Sequence, residues 1–283
     1  MRDRRRRNRL ADLAGRGLLV LAAAVTVAIL LALLLYVLVK GLPLVSWEFL
    51  TALPRRMGRL GGIWPTIVGT LYLSAVALGV AAPLGVAAAV YLAEYAPPGR
   101  LTRLCHFGSE TLAGVPSIIF GLFGFATFVI FLGLGWSVLS GGLTLALMIL
   151  PTVIRTAEEA LKAVPRAYRE GSLALGATRW QTVWHVVLPS ALPGILTGLL
   201  LGLGRAVGET AAVLLTAGSS LTIPLSPLDP ARTMSVHLYL LAVEGISLER
   251  AYATAAVLVI TILLLNLLAT RLVRRLTPKG GHA

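Results

Sequence analysis

The sequence predicts an all-α integral membrane protein with about six transmembrane helices. Hydrophobic residues make up 57% of its 283 residues and charged residues only 13%, where a soluble domain carries about 25% charged. So little polar surface cannot cover a water-facing exterior, and a bilayer must cover it instead. The chain also divides into apolar runs near the roughly 20 residues that span a hydrocarbon core. Finally, 18 of the 25 Lys and Arg fall in one alternating set of loops and six in the other, with Arg205 inside a run. Basic residues mark the cytoplasmic side, so both termini are expected inside the cell.

The formal net charge of +13 raises nucleic-acid binding. The basic residues cluster at the ends of apolar runs and form no groove of their own, which reads as topology. A single cysteine, Cys105, excludes an internal disulfide and a multi-thiolate metal site. The four histidines are scattered and read as surface or interface residues, so neither metal nor cofactor is expected.

A basic N-terminus, residues 1–17, precedes the first run, Leu18–Val39. That run is too long for a signal-peptide core and lacks a small-residue cleavage site, so it reads as an uncleaved span. Residues 18–64 comprise this span and an outside loop, and residues 65–276 form the core. The second run is Pro65–Ala93, where Pro83 is tolerated if neighbouring helices satisfy the freed carbonyl. The third is Leu112–Leu132, in which Pro116 and Ser117 mark a kink or a break. The turn before it is cytoplasmic, and its flanking Glu94 and Glu110 are expected to pair locally. The fourth is Val138–Ile154, the fifth Ala191–Ala217 and the sixth Ala251–Val273, with Asn266 expected to make an interhelical hydrogen bond. A cytoplasmic tail, 277–283, follows. In the outside loops, "SWEFL" and "MSVHLYLLA" read as helices lying at the interface on aromatic anchors.

The cytoplasmic loop 155–190 is too polar to span and too patterned for a linker. Pro165 opens a short helix, and Gly176 ends it at a left-handed position. Thr178 caps a second helix, on which Trp180, Val183, Trp184 and Val187 fall on one stripe. Pro189 stops it and Pro193 starts the fifth span. By pattern alone this elbow is either a connector or a docking element.

The fifth run carries two charges, Arg205 and Glu209. At 100° per residue, Leu196, Leu199, Leu200, Leu203, Val207 and Leu214 gather on one side. Gly194, Gly198, Gly202, Arg205, Gly208, Glu209, Ala212 and Thr216 gather on the other, a small-residue stripe that allows close helix approach. Arg205 lies about twelve residues, or ~18 Å, from either end of this run, where an arginine costs roughly 2.5–3.5 kcal/mol on insertion scales. Glu209, four residues on, offsets part of that cost. The pair either locks one helix to its neighbour or lines a hydrated anion path. Guanidinium suits phosphate because its planar fork donates two charge-assisted hydrogen bonds at once.

Glu170-Gly171-Ser172, Gly176 six residues after Glu170, and Leu188-Pro189 resemble the "EAA" loop of ABC-importer permeases, with Gly171 and Ser172 replacing its alanines. The runs "GGIWPTIVGTLYL", "LAGVPSIIFGLFG", "LPTVIRTAEEALKAVPRAYREGSLALGATRWQTVWHVVLPSALPGILTG" and "RAVGETAAVLLTAG" are similar to the PstA family of phosphate-importer permeases, from about residue 61 to 217.

The resemblance implies a type I (MetI-like) permease architecture. It implies a PstC-like second permease chain, two PstB-like ATPase subunits and a PstS-like phosphate-binding protein outside. Glu170, Gly171, Ser172, Gly176 and Pro189 would couple the chain to the ATPase. Arg205, Glu209 and Thr210 would border the substrate path.

The chain has no phosphate-binding loop of its own, so a partner would hydrolyse ATP and no catalytic residue is expected. "GLGRAVG" misses the dinucleotide fingerprint by one residue and sits in a span. The rival readings are a permease for molybdate, tungstate or sulfate, an ATP-independent anion carrier or channel, and a membrane-embedded hydrolase. For the last there is no H-E-x-x-H motif, no clustered Ser and His and no pair of acids on one span.

Overall fold

The computed structural model describes the backbone of residues 2–276 and the side chains of residues 15–271. The tail 277–283 and the basic side chains before residue 15 lie outside the described residues. In chain order the helices are α1 (Arg2–Gly41), α2 (Trp47–Thr51), α3 (Trp64–Val90), α4 (Arg100–Ala113), α5 (Ser117–Gly124) and α6 (Val138–Lys162). They continue with α7 (Arg166–Ala174), α8 (Arg179–Thr182), α9 (Leu188–Gly208), α10 (Ala211–Thr216), α11 (Met234–Val243) and α12 (Leu248–Leu276). A two-stranded hairpin, β1 (Pro54–Arg55) and β2 (Leu60–Gly61), precedes α3.

Among the described residues, five helical segments are long and apolar enough to cross a bilayer: Gly15–Leu44, Trp64–Tyr95, Val138–Lys162, Arg179–Gly208 and Leu248–Arg271. The sixth candidate is a pair, Arg100–Ala113 and Ser117–Phe131, bent by 103°. The expected third span is therefore broken at Gly114-Val115-Pro116. Pro116 has no N–H and holds φ −57°, ψ 139°, outside the helical region. The segment before it is a separate helix, α4, where the sequence reading placed a turn.

α6 is the centre of the bundle. It runs beside α3 in the same direction: side-chain carbons added at Gly141 and Gly85 would meet Leu73 and Val153. α9 runs antiparallel to α6. A carbon at Gly194 would meet Ala160 Cβ at 2.5 Å, one at Gly198 would overlap Thr156, and one at Gly202 would meet Val153 Cγ2 at 3.5 Å. The first three members of the small-residue stripe, Gly194, Gly198 and Gly202, thus pack as their spacing predicts, backbone against the α6 side chains, whereas Arg205 and Gly208 of the same stripe are exposed and Val207 of the opposite face is buried. Leu73, Leu145, Met148 and Ile149 are buried in the central core. Ala157, Leu161, Val187 and Ile195 close the end that carries the α7–α8 elbow, and Phe49, Ile63, Met234 and Ala253 close the far end. α1 touches the rest near Gly41 and through Tyr36, whose ring stands edge-on to Tyr252 at 5.9 Å.

Other expectations change. The fourth span continues to Lys162, two turns past Ile154. Neither Pro189 nor Pro193 interrupts the chain, and Arg179–Gly208 is one helical segment. A π-helical stretch, Val183–Val187, widens the helix just before Pro189 and accommodates its ring, while Ser190 Oγ donates to the Val186 carbonyl. The wider turn also splits the expected stripe: Val183 and Val187 are buried, whereas Trp180 and Trp184 are exposed and pack on each other.

Glu94 and Glu110 do not pair locally but bond to Arg169 and Arg155 on distant segments. Asn266 is exposed and makes no side-chain hydrogen bond among the described residues. α11 does not lie on the interface, because Met234, Val236, His237 and Leu241 are fully buried inside the far end. The α2 expectation holds in part: Ser46 caps it and Trp47 is exposed, but Phe49 is buried.

His237, expected at a surface or an interface, is fully buried within the chain beside Arg232, itself 6% exposed. Arg232 Nη1 lies 3.3 Å from His237 Nδ1, and Arg232 Nε donates to the Ser219 carbonyl. Because Arg232 can only donate, Nδ1 accepts and His237 is neutral with its proton on Nε2. Burial first, and Arg232 second, hold His237 down at about 4. The unfolded chain, with a histidine near the ordinary 6.5, takes up its proton first. Stability of the far end is therefore full above about pH 6.5 and falls as pH drops toward 4. At about 1.4 kcal/mol per pKa unit, the whole shift is worth about 3 kcal/mol. Thermal unfolding at pH 7 and pH 4.5 should show a steeper loss for the wild type than for His237→Gln; equal losses would contradict the assignment.

Candidate functional site

Arg205, Glu209 and Thr210 meet at a break that the sequence reading did not expect. α9 ends at Gly208, Glu209 is extended (φ −72°, ψ 136°), and α10 restarts at Ala211. The cause is local. Gly202, Gly204 and Gly208 weaken the helix by about 1 kcal/mol each relative to alanine. Glu209 then offers its carboxylate to the backbone, and Oε1 accepts from the Ala212 N–H at 3.3 Å, as a helix cap does. Ser235 at the start of α11 fixes the break from the other side, its Oγ donating to the Glu209 carbonyl at 2.5 Å.

The Arg205–Glu209 partnership is thereby corrected. The two residues do not share a continuous helix, and Arg205 forms no ion pair or hydrogen bond among the described residues. It is exposed, while Glu209 and Thr210 are half-buried. Arg205 also lies in the last turn of α9, not at the middle of an unbroken span. There the unpaired carbonyls of the helix C-terminus favour a cation by about 0.3–1 kcal/mol. Glycines flank it: carbons added at Gly204 and Gly208 would touch nothing within 4 Å. The result is a guanidinium on an open face beside a half-broken helix. No side chain or carbonyl among the described residues takes up its donors. The stop signal was present in the sequence, since a glycine followed by Glu and Thr ends one helix and caps the next.

The second set lies at the other end of the same segment. α7 begins after Pro165, and Gly176 beyond its end takes φ +85°, as expected. Thr178 and Gln181 form a reciprocal capping box at α8. Ser172 Oγ and Thr182 Oγ1 lie 2.9 Å apart and tie α7 to α8. Glu170, Gly171, Gly176 and Pro189 are exposed and Ser172 is half-buried. Tyr168, Leu173, Leu175 and Trp180 also project from the elbow, Leu175 at 90% exposure. The 30 residues of Arg179–Gly208 join elbow to break, a rod of about 45 Å at 1.5 Å per residue. Sequence reasoning missed Arg169, Arg232 and the burial of His237, and gave Glu94 a local partner in place of Arg169; periodicity does not report pairing between distant elements.

Comparison with known proteins places this architecture. Residues 81–280 match the family model "Binding-protein-dependent transport system inner membrane component". The chain is 36% identical to "Probable ABC transporter permease protein YqgI" of Bacillus subtilis, over 95% of this chain and 98% of that one. It is 33% identical to "Phosphate transport system permease protein PstA" of Pasteurella multocida, over 81% and 82% of the two chains. It is 38% identical to the PstA protein of Mycobacterium leprae, over 73% and 69%. Among solved structures, a chain of the inward-facing MetNI methionine ABC transporter shares the fold, with a TM-score of 0.60 at 24% identity, covering 76% of this chain and 94% of that one. The family match spans 200 of the 283 residues, and these relatives above 30% identity are covered over more than two thirds of their length: the chain belongs to the family of binding-protein-dependent transport system inner membrane components.

Proposed function

We propose that this chain is one half of the membrane path of an ATP-driven phosphate importer. Arg205 is the observation that carries the reading: an exposed guanidinium without a protein partner among the described residues, at a helix break in the fifth span. An apolar protein places such a charge at a cost, which a hydrated oxyanion route offsets. Relatives named as phosphate transport permeases support phosphate as the oxyanion.

In this reading the elbow faces the cytoplasm, both termini lie there, and Glu170, Gly171, Ser172, Gly176 and Pro189 belong to the surface that an ATPase subunit grips. A second, PstC-like permease chain completes the path, and a PstS-like binding protein delivers phosphate from outside. ATP binding closes the ATPases and moves the elbow. The rod Arg179–Gly208 then carries that movement to Arg205, Glu209 and Thr210. The chain itself makes and breaks no covalent bond.

Glu209 adds discrimination. Phosphate near neutral pH keeps one or two protons, which a carboxylate can accept in hydrogen bonds, whereas sulfate keeps none and is repelled. Glutamine preserves the oxygen that caps Ala212 but removes the charge, so Glu209→Gln isolates this role. Sulfate inhibition of phosphate uptake should rise in that variant by about tenfold, the lower range of a lost charge interaction; unchanged inhibition would refute the screening role. The whole reading is tested by co-purifying the chain with its partners and measuring phosphate-dependent ATP hydrolysis in vesicles. Hydrolysis indifferent to phosphate would contradict it.

A further inference from the structure

We propose that Glu94 and Arg169 are the positioning pair through which the elbow moves the second and fourth spans. This rests on the reading of the elbow as the surface an ATPase grips.

Arg169 stands immediately before Glu170 on α7. Its Nε donates to Glu94 Oε1 at 3.1 Å and lies 3.3 Å from Oε2, and its Nη2 donates to Oε1 at 2.6 Å. The remaining donors reach the end of α6: Nη2 to the Leu161 carbonyl at 2.8 Å and Nη1 to the Val164 carbonyl at 2.7 Å. Those carbonyls lie at a helix C-terminus, where intrahelical partners run out. One guanidinium on the elbow therefore holds the acid at the end of the second span and caps the end of the fourth.

Three features separate this contact from ordinary surface pairing. The side chains are shielded, at 21% and 11% exposure, whereas Arg155 and Glu110 on the same end are 60% and 62% exposed and screened by water. The guanidinium uses its planar fork, which fixes direction as well as distance. Glu94 also lies in a π-helical turn, Tyr91–Tyr95, that ends the second span. Such turns are locally irregular and recur at functional sites. A second contact reinforces the link: the Arg179 guanidinium of α8 sits 5.8 Å from the Tyr95 ring centroid. With Ser172 and Thr182 joining α7 to α8, both elbow helices hold the same π turn. A rigid elbow that turns about its own axis must move that turn with it, and through it α3 and the α6 end.

The test uses the assembled transporter in vesicles, with inorganic phosphate outside and ATP inside the compartment the ATPases face. Glu94→Gln and Arg169→Gln should each leave the chain in the membrane and the ATPase bound. Each should lower phosphate moved per ATP hydrolysed by about tenfold, within the range of single coupling interactions. The double variant should be no worse than Arg169→Gln alone, because one link is broken once. Glu110→Gln, which breaks the exposed pair, should keep the wild-type ratio. Wild-type ratios in both single variants would overturn the inference, as would multiplied losses in the double variant or loss of ATPase binding in Glu94→Gln. Phosphate uptake by wild-type vesicles without ATP is a different result: it would remove the proposed function and this inference with it.

Discussion

Arg205→Ala is expected to lower ATP-driven phosphate uptake by about 100-fold while leaving the amount of chain in the membrane unchanged. The two halves of that expectation have separate causes. A hydrogen bond to a charged group contributes about 1.5–3 kcal/mol, and a guanidinium fork can supply two to one phosphate. Loss of both corresponds to at least a hundredfold. The fold should not suffer, because Arg205 makes no hydrogen bond or ion pair among the described residues and only its interaction with the α9 C-terminus is lost. That interaction is worth about 0.3–1 kcal/mol. Arg205→Lys keeps the charge and loses the fork, so its uptake should fall by about tenfold, between the two. Radiolabelled phosphate uptake, normalised to membrane-resident chain, measures all three. Uptake within twofold of wild type in the alanine variant would mean that the anion passes elsewhere.

The second large effect is structural. Gly198→Val should remove most of the folded chain from the membrane. A carbon at residue 198 would overlap Thr156 on α6, and the backbones there cannot separate without opening the Gly194–Ala160 contact one turn away. Overpacking typically costs about 1–3 kcal/mol, and a branched side chain between two central helices falls at the upper end. Gly204→Ala is the contrast: nothing lies within 4 Å of the added carbon, and alanine favours helix by about 1 kcal/mol. Detergent-extracted chain, followed by size-exclusion profile and thermal unfolding, separates the two. Equal behaviour of the two variants would show that the stripe does not hold α9 on α6.

The same stripe shows how much of the fold could be read from the residues. Gly194, Gly198 and Gly202 recur every four residues, and that spacing alone predicted a close helix contact, though not that α6 would be the partner. Gly176 and Thr178 named their own local conformations, because a left-handed turn and a capping box depend on neighbours in sequence. Glu94 is the opposite case. Its partner is 75 residues away, and nothing in the run around it indicates Arg169. α11 was misplaced for a related reason: an apolar ten-residue helix looks the same on an interface as inside a bundle, and only the surrounding elements decide. At the candidate site the residue types pointed to an anion, but the assumption of an unbroken helix supplied a false partner for Arg205. Gly208 and the capping carboxylate of Glu209 override the apolar periodicity there, since a helix interrupted at a glycine and recapped loses little when adjacent helices hold both halves.

The most direct measurement is phosphate uptake by vesicles containing this chain and the subunits that co-purify with it, with ATP supplied or withheld. Uptake that requires ATP, saturates with phosphate, resists equimolar sulfate and collapses in Arg205→Ala is the predicted result. ATP-dependent uptake that ignores Arg205, or phosphate flux through the chain with no ATPase present, would contradict the account.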